Sequence, residues 1–217
     1  FLRRQDEIFH YFLRHPQYIL FRLNVNSYGV LIKSEEAQME KLAENGLDHI
    51  RRVCIPEESR ISWYVAVGEV VERLSMLPQC YLQASHYFAY RFVMPGTHIL
   101  TEKTLSEYLS VQEEKGMDNV DFLQMDPEII RDFLFRGNEN EIHDFAESYF
   151  ANIRHALKSL MFRGYVFFNI RVAVVTFLES FGAEQDGYLE EIKQRAQMVH
   201  DNEEELYEYF ISMLQTA

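Results

Sequence analysis

The chain has 217 residues, of which 47% are hydrophobic and 14% aromatic, and its formal net charge is −13. This length allows one large domain or two small ones, and the apolar content excludes a disordered tail. The negative charge argues against direct contact with nucleic acid, because phosphates bind to basic surfaces.

The first third of the chain predicts a helix, a hairpin and a second helix. Apolar spacing predicts a helix from Leu2 to His15, which ends before Pro16. Alternating residues then predict strands at Ile19–Leu23 and Tyr28–Ile32, joined by an Asn-rich turn. Ser34 is a suitable N-cap for the next helix, in which Asn45-Gly46 is expected to be a weak point.

The next segment adds a strand, a helix and a strand, giving the order α-β-β-α-β-α-β for the first half. Ile61–Val71 is continuously apolar, which favours a buried central strand. Leu77–Met94 has helical spacing, with Leu82 expected to point inward, and Pro95-Gly96 should end that helix. His98–Leu100 is the last expected strand. We expect the helices to cover one face of a partly antiparallel sheet.

The second half is predicted to be entirely helical. Asp126 and Pro127 form an N-cap and first-turn pair, so a helix is expected to start there. A domain boundary is expected between residues 105 and 125. The other expected helices are Glu139–Phe162, Tyr165–Phe181, Glu184–Val199 and Asn202–Leu214, with Gly164 as a break and Gly182 as a C-cap.

The cysteines and the apolar runs favour a cytoplasmic protein. Cys54 and Cys80 form no CxxC pair, and their apolar surroundings predict small packing residues. The run Tyr165–Phe181 is interrupted by Arg171 and Glu179. No run therefore reaches the roughly 18 uninterrupted apolar residues of a membrane span.

The sequence offers little that resembles an enzyme active site. A nucleotide cyclase would need two Mg²⁺-binding carboxylates beside the hairpin, but the turn carries Asn24, Asn26 and Ser27. No P-loop, GxGxxG or GxSxG motif occurs. We therefore expect no catalytic activity, no cofactor and no metal ion.

Three candidate ligand sites each have a structural explanation that we favour. His143 and Glu147 are four residues apart and could hold a metal, but a hydrogen-bonded surface pair fits the same spacing. His86, beside two tyrosines, is expected to be a partly buried packing residue. Aromatic residues of the second half could line a small-molecule pocket, although core packing explains them better: Tyr165, Phe167, Phe168, Phe177 and Phe181.

The segment Ile61–Leu100 carries a pattern that extends over about forty residues. It contains a strand ending in Val-Gly, a helix, a Tyr-Arg-Phe close, a Gly-containing turn and an apolar strand. This pattern resembles the central region of AraC-type response regulators of the YesN-like group, in which Cys80 would usually be Ser. The matching positions include Gly68, Leu77, Tyr81, Ala84, Tyr90, Arg91, Phe92 and Gly96.

The resemblance implies an α+β fold, in which a degenerate GGDEF-like sheet with helices (related to the ferredoxin-like fold) precedes an all-α helical region. Residues 1–110 would form the GGDEF-like domain, without its first strand, and residues 111–217 the helical region. We expect the chain to be a piece of a longer protein. Arg91 is expected to pair with a carboxylate or a backbone carbonyl, and Tyr81, Ala84 and Phe88 to pack the helix on the sheet.

The function implied is that of a central regulatory module in a DNA-binding transcriptional response regulator. Its partners would be the receiver and helix-turn-helix domains, which this chain lacks, and a homodimer is a further expected arrangement. The alternatives are a small-molecule sensing domain and, less favoured, a divergent nucleotide-binding enzyme. The acidic segment from Glu184 onward could restrain an attached basic domain, although a solvated helical face explains it more simply.

Overall fold

The computed structural model describes residues 2–54, 62–114, 122–182 and 202–217. These residues form a mixed, mainly helical structure with two small two-stranded sheets. Contacts divide the chain into two compact units, Phe1–Trp63 and Tyr64–Ala217. The sequence instead predicts a division near residue 110.

The first unit is a helix, a hairpin and a helix. The hairpin is antiparallel, with Tyr18 opposite Ile32, which confirms the predicted pair of strands. The buried rings of Phe12 and Tyr18 meet edge to face at 5.1 Å, and the Tyr18 hydroxyl donates to the Leu42 carbonyl at 2.8 Å. The elements are α1 (Leu2–Arg14), β1 (Tyr18–Arg22), β2 (Tyr28–Ile32) and α2 (Glu36–Cys54).

Of the two Asn-containing segments in this unit, one has the structure expected from the sequence and the other does not. The hairpin turn uses Asn24 as expected, because its side-chain oxygen accepts from the Asn26 amide at 2.9 Å. Asn45-Gly46 does not interrupt α2. Gly46 is buried, and a Cβ atom there would lie 3.3 Å from the Phe12 ring, so tertiary packing stabilises this turn of the helix.

The second unit contains two short parallel strands and six helices within the described residues. Single 3₁₀ turns at Leu74–Met76, Phe122–Met125 and Glu139–Glu141 precede three of the helices. The elements are β3 (Val65–Ala66), α3 (Leu77–Ala89), β4 (Ile99–Leu100), α4 (Glu102–Glu114), α5 (Pro127–Arg136), α6 (Ile142–Leu157), α7 (Leu160–Ser180) and α8 (Glu203–Thr216).

Helix α6 lies at the centre of the second unit. It contacts α3, α4, α7 and α8, and ten of its residues are buried. The Phe145 ring stacks on Phe133 of α5 at 4.1 Å, and the Tyr149 ring lies 5.3 Å from Phe210 of α8. One apolar core therefore joins most of the helices of this unit.

The predicted central strand is much shorter than expected. Of the described residues 62–71, only Val65–Ala66 is strand, and it pairs in parallel with Ile99–Leu100. Helix α3 packs mainly on α6 and only partly on this strand. None of the residues 62–71 is buried, and Val70 is 63% exposed, so this run is not a buried central strand. Apolar content alone does not distinguish a strand from an irregular segment. The described residues do not show a GGDEF-like sheet.

The structure confirms some of the helix boundaries that the sequence predicts for the second half. The Asp126 carboxylate accepts from the Glu128 amide at 2.9 Å, which confirms the predicted cap of α5. Gly182 has φ +71° and follows α7 as predicted. The break lies at Ser159, which is extended, and α7 runs through Gly164. The expected helix Glu184–Val199 lies outside the described residues.

Candidate functional site

Arg91, in the turn after α3, is enclosed by two aromatic rings and a carboxylate. Its guanidinium carbon lies 4.0 Å from the Phe88 ring centroid and 4.1 Å from that of Phe92. Nη1 donates to the Phe88 carbonyl at 2.8 Å, and Nη2 donates to the Glu141 carboxylate at 2.9 Å. Arg91 thus has both of the partners expected from the sequence, a carboxylate and a carbonyl.

Glu141 connects this arginine to the start of α6. The Asn138 amide and its side-chain nitrogen each donate to the Glu141 carboxylate at 3.0 Å. The Asn138 side chain accepts in return from the Glu141 amide, which completes a capping box. The side chains of Arg91 and Glu141 are 10% and 19% exposed, so the ion pair is largely shielded from water. Burial lowers the pKa of Arg91, and Glu141 opposes that shift. We call Phe88, Arg91, Phe92 and Glu141 the Arg91 junction.

A second polar contact joins α3 to α6 beside the Arg91 junction. His86 Nδ1 lies 3.6 Å from the Asp144 carboxylate and 3.8 Å from the Glu147 carboxylate. The contact with Asp144 raises the pKa of His86, burial opposes the shift, and Glu147 adds to it. The His86 ring also meets Tyr90 edge to face at 5.6 Å. A protonated His86 therefore strengthens the contact between these helices.

The structure does not bring His143 and Glu147 together as a metal-binding pair. Glu147 faces His86, and His143 is exposed. Within residues 2–54, 62–114, 122–182 and 202–217, no group of three or more His, Cys, Asp or Glu side chains is arranged to hold a metal ion.

Gly68 is required where β3 leads into the loop facing α3. A Cβ atom at Gly68 would lie 2.9 Å from both the carbonyl oxygen and the sulfur of Cys80, and 3.4 Å from Ala84. The Cys80 thiol donates to the Glu69 carbonyl at 3.2 Å. Burial raises the pKa of Cys80, so its thiol stays protonated and serves as a small packing group with one hydrogen bond.

The other motif residues divide into buried and exposed positions. Tyr90 and Phe92 are buried in the core of the second unit, and Leu77 is partly buried. Tyr81 is 48% exposed, so it does not pack α3 on a sheet as expected. Leu82 is also exposed, and the space around Gly96 is open. A strand of two residues is too short to cover the outer face of α3, so these side chains remain exposed.

The aromatic residues of α7 do not converge on one pocket. Phe177 is buried and meets Phe135 edge to face at 5.0 Å, and Phe167 lies 4.8 Å from Tyr209. Phe168 and Phe181 are exposed, and Tyr165 is partly so. These aromatic residues serve the core and the surface, which does not favour the small-molecule pocket that the sequence left open as an alternative.

The first unit contains an open cleft that the sequence does not predict. Its volume is about 470 Å³. The ring of His49 stacks on Tyr11 at 4.0 Å, and His15 Nδ1 lies 2.7 Å from the Tyr11 carbonyl. No sequence spacing links His49 to the residues of α1. The lining residues are Asp6, Glu7, His10, Tyr11, Arg14, His15 and His49.

Comparisons with known proteins do not assign the chain to a family. No family model, no curated protein and no solved structure matches this sequence. The resemblance of Ile61–Leu100 to the AraC-type regulators therefore rests on the motif residues alone and remains an expectation.

Proposed function

We propose that this chain is a non-catalytic regulatory module of a cytoplasmic transcriptional response regulator, relaying a signal between a receiver domain and a helix-turn-helix domain. The Arg91 junction supports this proposal most directly. Residues of the family-like motif are used internally to join α3 to α6, and none of them lines the cleft of the first unit. A relay needs such an element, whose arrangement can bias the domains attached on either side.

The chemistry of the junction favours two discrete arrangements over gradual sliding. If α6 moved away from α3, Arg91 would lose Glu141 while remaining between two aromatic rings. An unpaired charge in that setting is costly, so the contact is either fully made or replaced by another arrangement. His86 and its two carboxylates lie on the same pair of helices and would separate in the same step.

The test is transcription by the full-length regulator carrying Arg91→Lys. Lysine keeps the charge but lacks the planar fork that reaches Phe88 and Glu141 together. We expect the ratio of induced to uninduced transcription to change while the protein level stays the same. The control is Lys103→Arg, because Lys103 is 84% exposed on α4. An unchanged ratio in Arg91→Lys would contradict the relay.

A small-molecule sensor is the second candidate, and the cleft lined by His10, Tyr11 and His49 is the observation that favours it. Thermal-shift measurements with nucleotides plus Mg²⁺ and with metabolites separate the two functions. A ligand at 100 times its Kd should stabilise the chain by about 2.7 kcal/mol. A response that is lost in His49→Ala would favour the sensor.

A further inference from the structure

Tyr64 lies where the chain enters the second unit. It directly precedes β3, and it is partly buried. The Tyr64 hydroxyl donates to the Pro95 carbonyl at 3.2 Å. Pro95 follows closely on Arg91 in the segment between α3 and β4. This hydrogen bond therefore links the entry of the chain to the segment that carries the Arg91 junction.

Tyr64 is held in place by the residues that lead into β4. Its ring lies 5.7 Å from the His98 ring. The amide of the next residue, Val65, donates to the His98 carbonyl at 2.8 Å, and β3 then pairs with β4. A side chain whose backbone and ring are both held in this way is suited to fix the position of the group that it contacts.

The segment between Pro95 and Arg91 is a series of tight turns. The Thr97 amide donates to the Met94 carbonyl at 2.9 Å, which closes a turn around Pro95. The Met94 amide donates to the Tyr90 carbonyl at 2.8 Å, which closes a second turn around Arg91. Because the two turns share Met94, a displacement of the Pro95 carbonyl is passed on to the backbone of Arg91.

Tyr64 and Arg91 also share an electrostatic environment with α5. Burial raises the pKa of the Tyr64 hydroxyl, and Arg136 is the first of the charges that oppose this shift. Arg91 opposes it too, whereas Asp132, the ion-pair partner of Arg136, adds to it. Burial lowers the pKa of Arg91, and Tyr64 is among the groups that oppose that shift after Glu141. The two side chains thus interact through space as well as through the turns.

We propose that Tyr64 is a positioning residue for the Arg91 junction, so that a displacement of the chain at its entry to the second unit changes the contact between Arg91 and Glu141. The first unit is joined to the second through the peptide bond between Trp63 and Tyr64. This inference rests on the proposed relay, because it names the point at which the relay receives its signal.

The first test measures rotation of the Arg91 guanidinium by NMR on the 217-residue chain. The hydrogen bonds from Nη1 to Phe88 and from Nη2 to Glu141 hinder rotation about the Nε–Cζ bond. Tyr64→Phe keeps the ring and removes only the hydroxyl. We expect rotation in this variant to be about 2- to 10-fold faster, because the loss of one hydrogen bond shifts an equilibrium by about that factor.

The matched control is Tyr81→Phe, which removes the same hydroxyl from a 48% exposed position on α3. The signal of Arg91 is identified by its loss in Arg91→Lys. A tyrosine that only stabilised the fold would lower the free energy of unfolding and leave the rotation unchanged in native conditions. Unchanged rotation in Tyr64→Phe, or equal acceleration in Tyr81→Phe, would overturn the positioning role without affecting the case for the relay.

The second test is the ratio of induced to uninduced transcription in the full-length regulator. We expect Tyr64→Phe to change this ratio in the same direction as Arg91→Lys, at an equal protein level, and Tyr81→Phe to leave it unchanged. If Arg91→Lys changes the ratio and Tyr64→Phe does not, the signal does not enter through Tyr64 and the inference is wrong. If neither variant changes the ratio, the relay itself is wrong, and Tyr64 positions Arg91 only within the fold.

Discussion

Arg91 is the residue whose surroundings are most fully specified, and its removal should be costly. Arg91→Ala leaves Glu141, only 19% exposed, without its cation and opens a space between Phe88 and Phe92. We expect a loss of about 3 kcal/mol in the free energy of unfolding, which is typical of a broken buried ion pair. Urea denaturation measures it. Lys103→Ala, at an exposed position, should change stability by less than about 0.5 kcal/mol.

His86 should make stability depend on pH. Its pKa is raised above the ordinary value of 6.5 by Asp144 first and by Glu147 as well. A raised pKa in the folded state means that the stabilisation is complete below the unfolded-state pKa and is lost as pH rises through the folded-state pKa. His86→Gln should therefore destabilise the chain more in mildly acidic than in mildly alkaline solution. Urea denaturation of the wild type and of His86→Gln at two pH values measures this difference. An equal loss in the free energy of unfolding at both pH values would contradict the assignment.

At the scale of residues, the sequence predicted the kind of contact but not the partner. Arg91 is the one charged position of an otherwise apolar or small motif, so pairing with a carboxylate or carbonyl was the natural expectation. Its partner Glu141 lies 50 positions away. Neither spacing nor charge pattern links the two, because the contact depends on how α3 packs against α6.

Helix α7 contains a glycine whose replacement should stabilise it. Gly164 lies within α7 and is exposed, and a Cβ atom added there would have no neighbouring atom within 4 Å. Gly164→Ala should raise the free energy of unfolding by about 0.5–1 kcal/mol, because alanine loses less backbone entropy in a helix. Gly182→Ala should have the opposite effect, since Gly182 has φ +71°. Thermal unfolding of both variants tests this pair, and a destabilising Gly164→Ala would contradict it.

At the scale of elements, the sequence correctly predicted the features that depend only on neighbouring residues. The hairpin turn around Asn24 and the Asp126 cap depend on neighbouring residues, and both are confirmed. The break expected at Gly164 was wrong because packing of α7 on α5, α6 and α8 outweighs the cost of one glycine. The long, buried strand expected at Ile61–Val71 was wrong because apolar content alone does not make a strand, and none of the described residues 62–71 is buried.

At the scale of the whole molecule, the second unit begins earlier than the sequence suggested. Leu100 of β4 and Leu105 of α4 are buried in the same core as the helices that follow. The Tyr108 hydroxyl also donates to the Asn152 side chain of α6. A boundary was expected between residues 105 and 125, but buried residues of this one core lie on both sides of that range.

We propose that this chain acts as a relay within a longer regulator, and the gene that encodes it provides the sharpest test. The measurement is the nucleotide sequence across the codons for Phe1 and Ala217. We expect the reading frame to continue upstream into a receiver domain and downstream into two helix-turn-helix motifs. A start codon and a stop codon immediately outside these residues would contradict the relay and would leave the sensor as the better proposal.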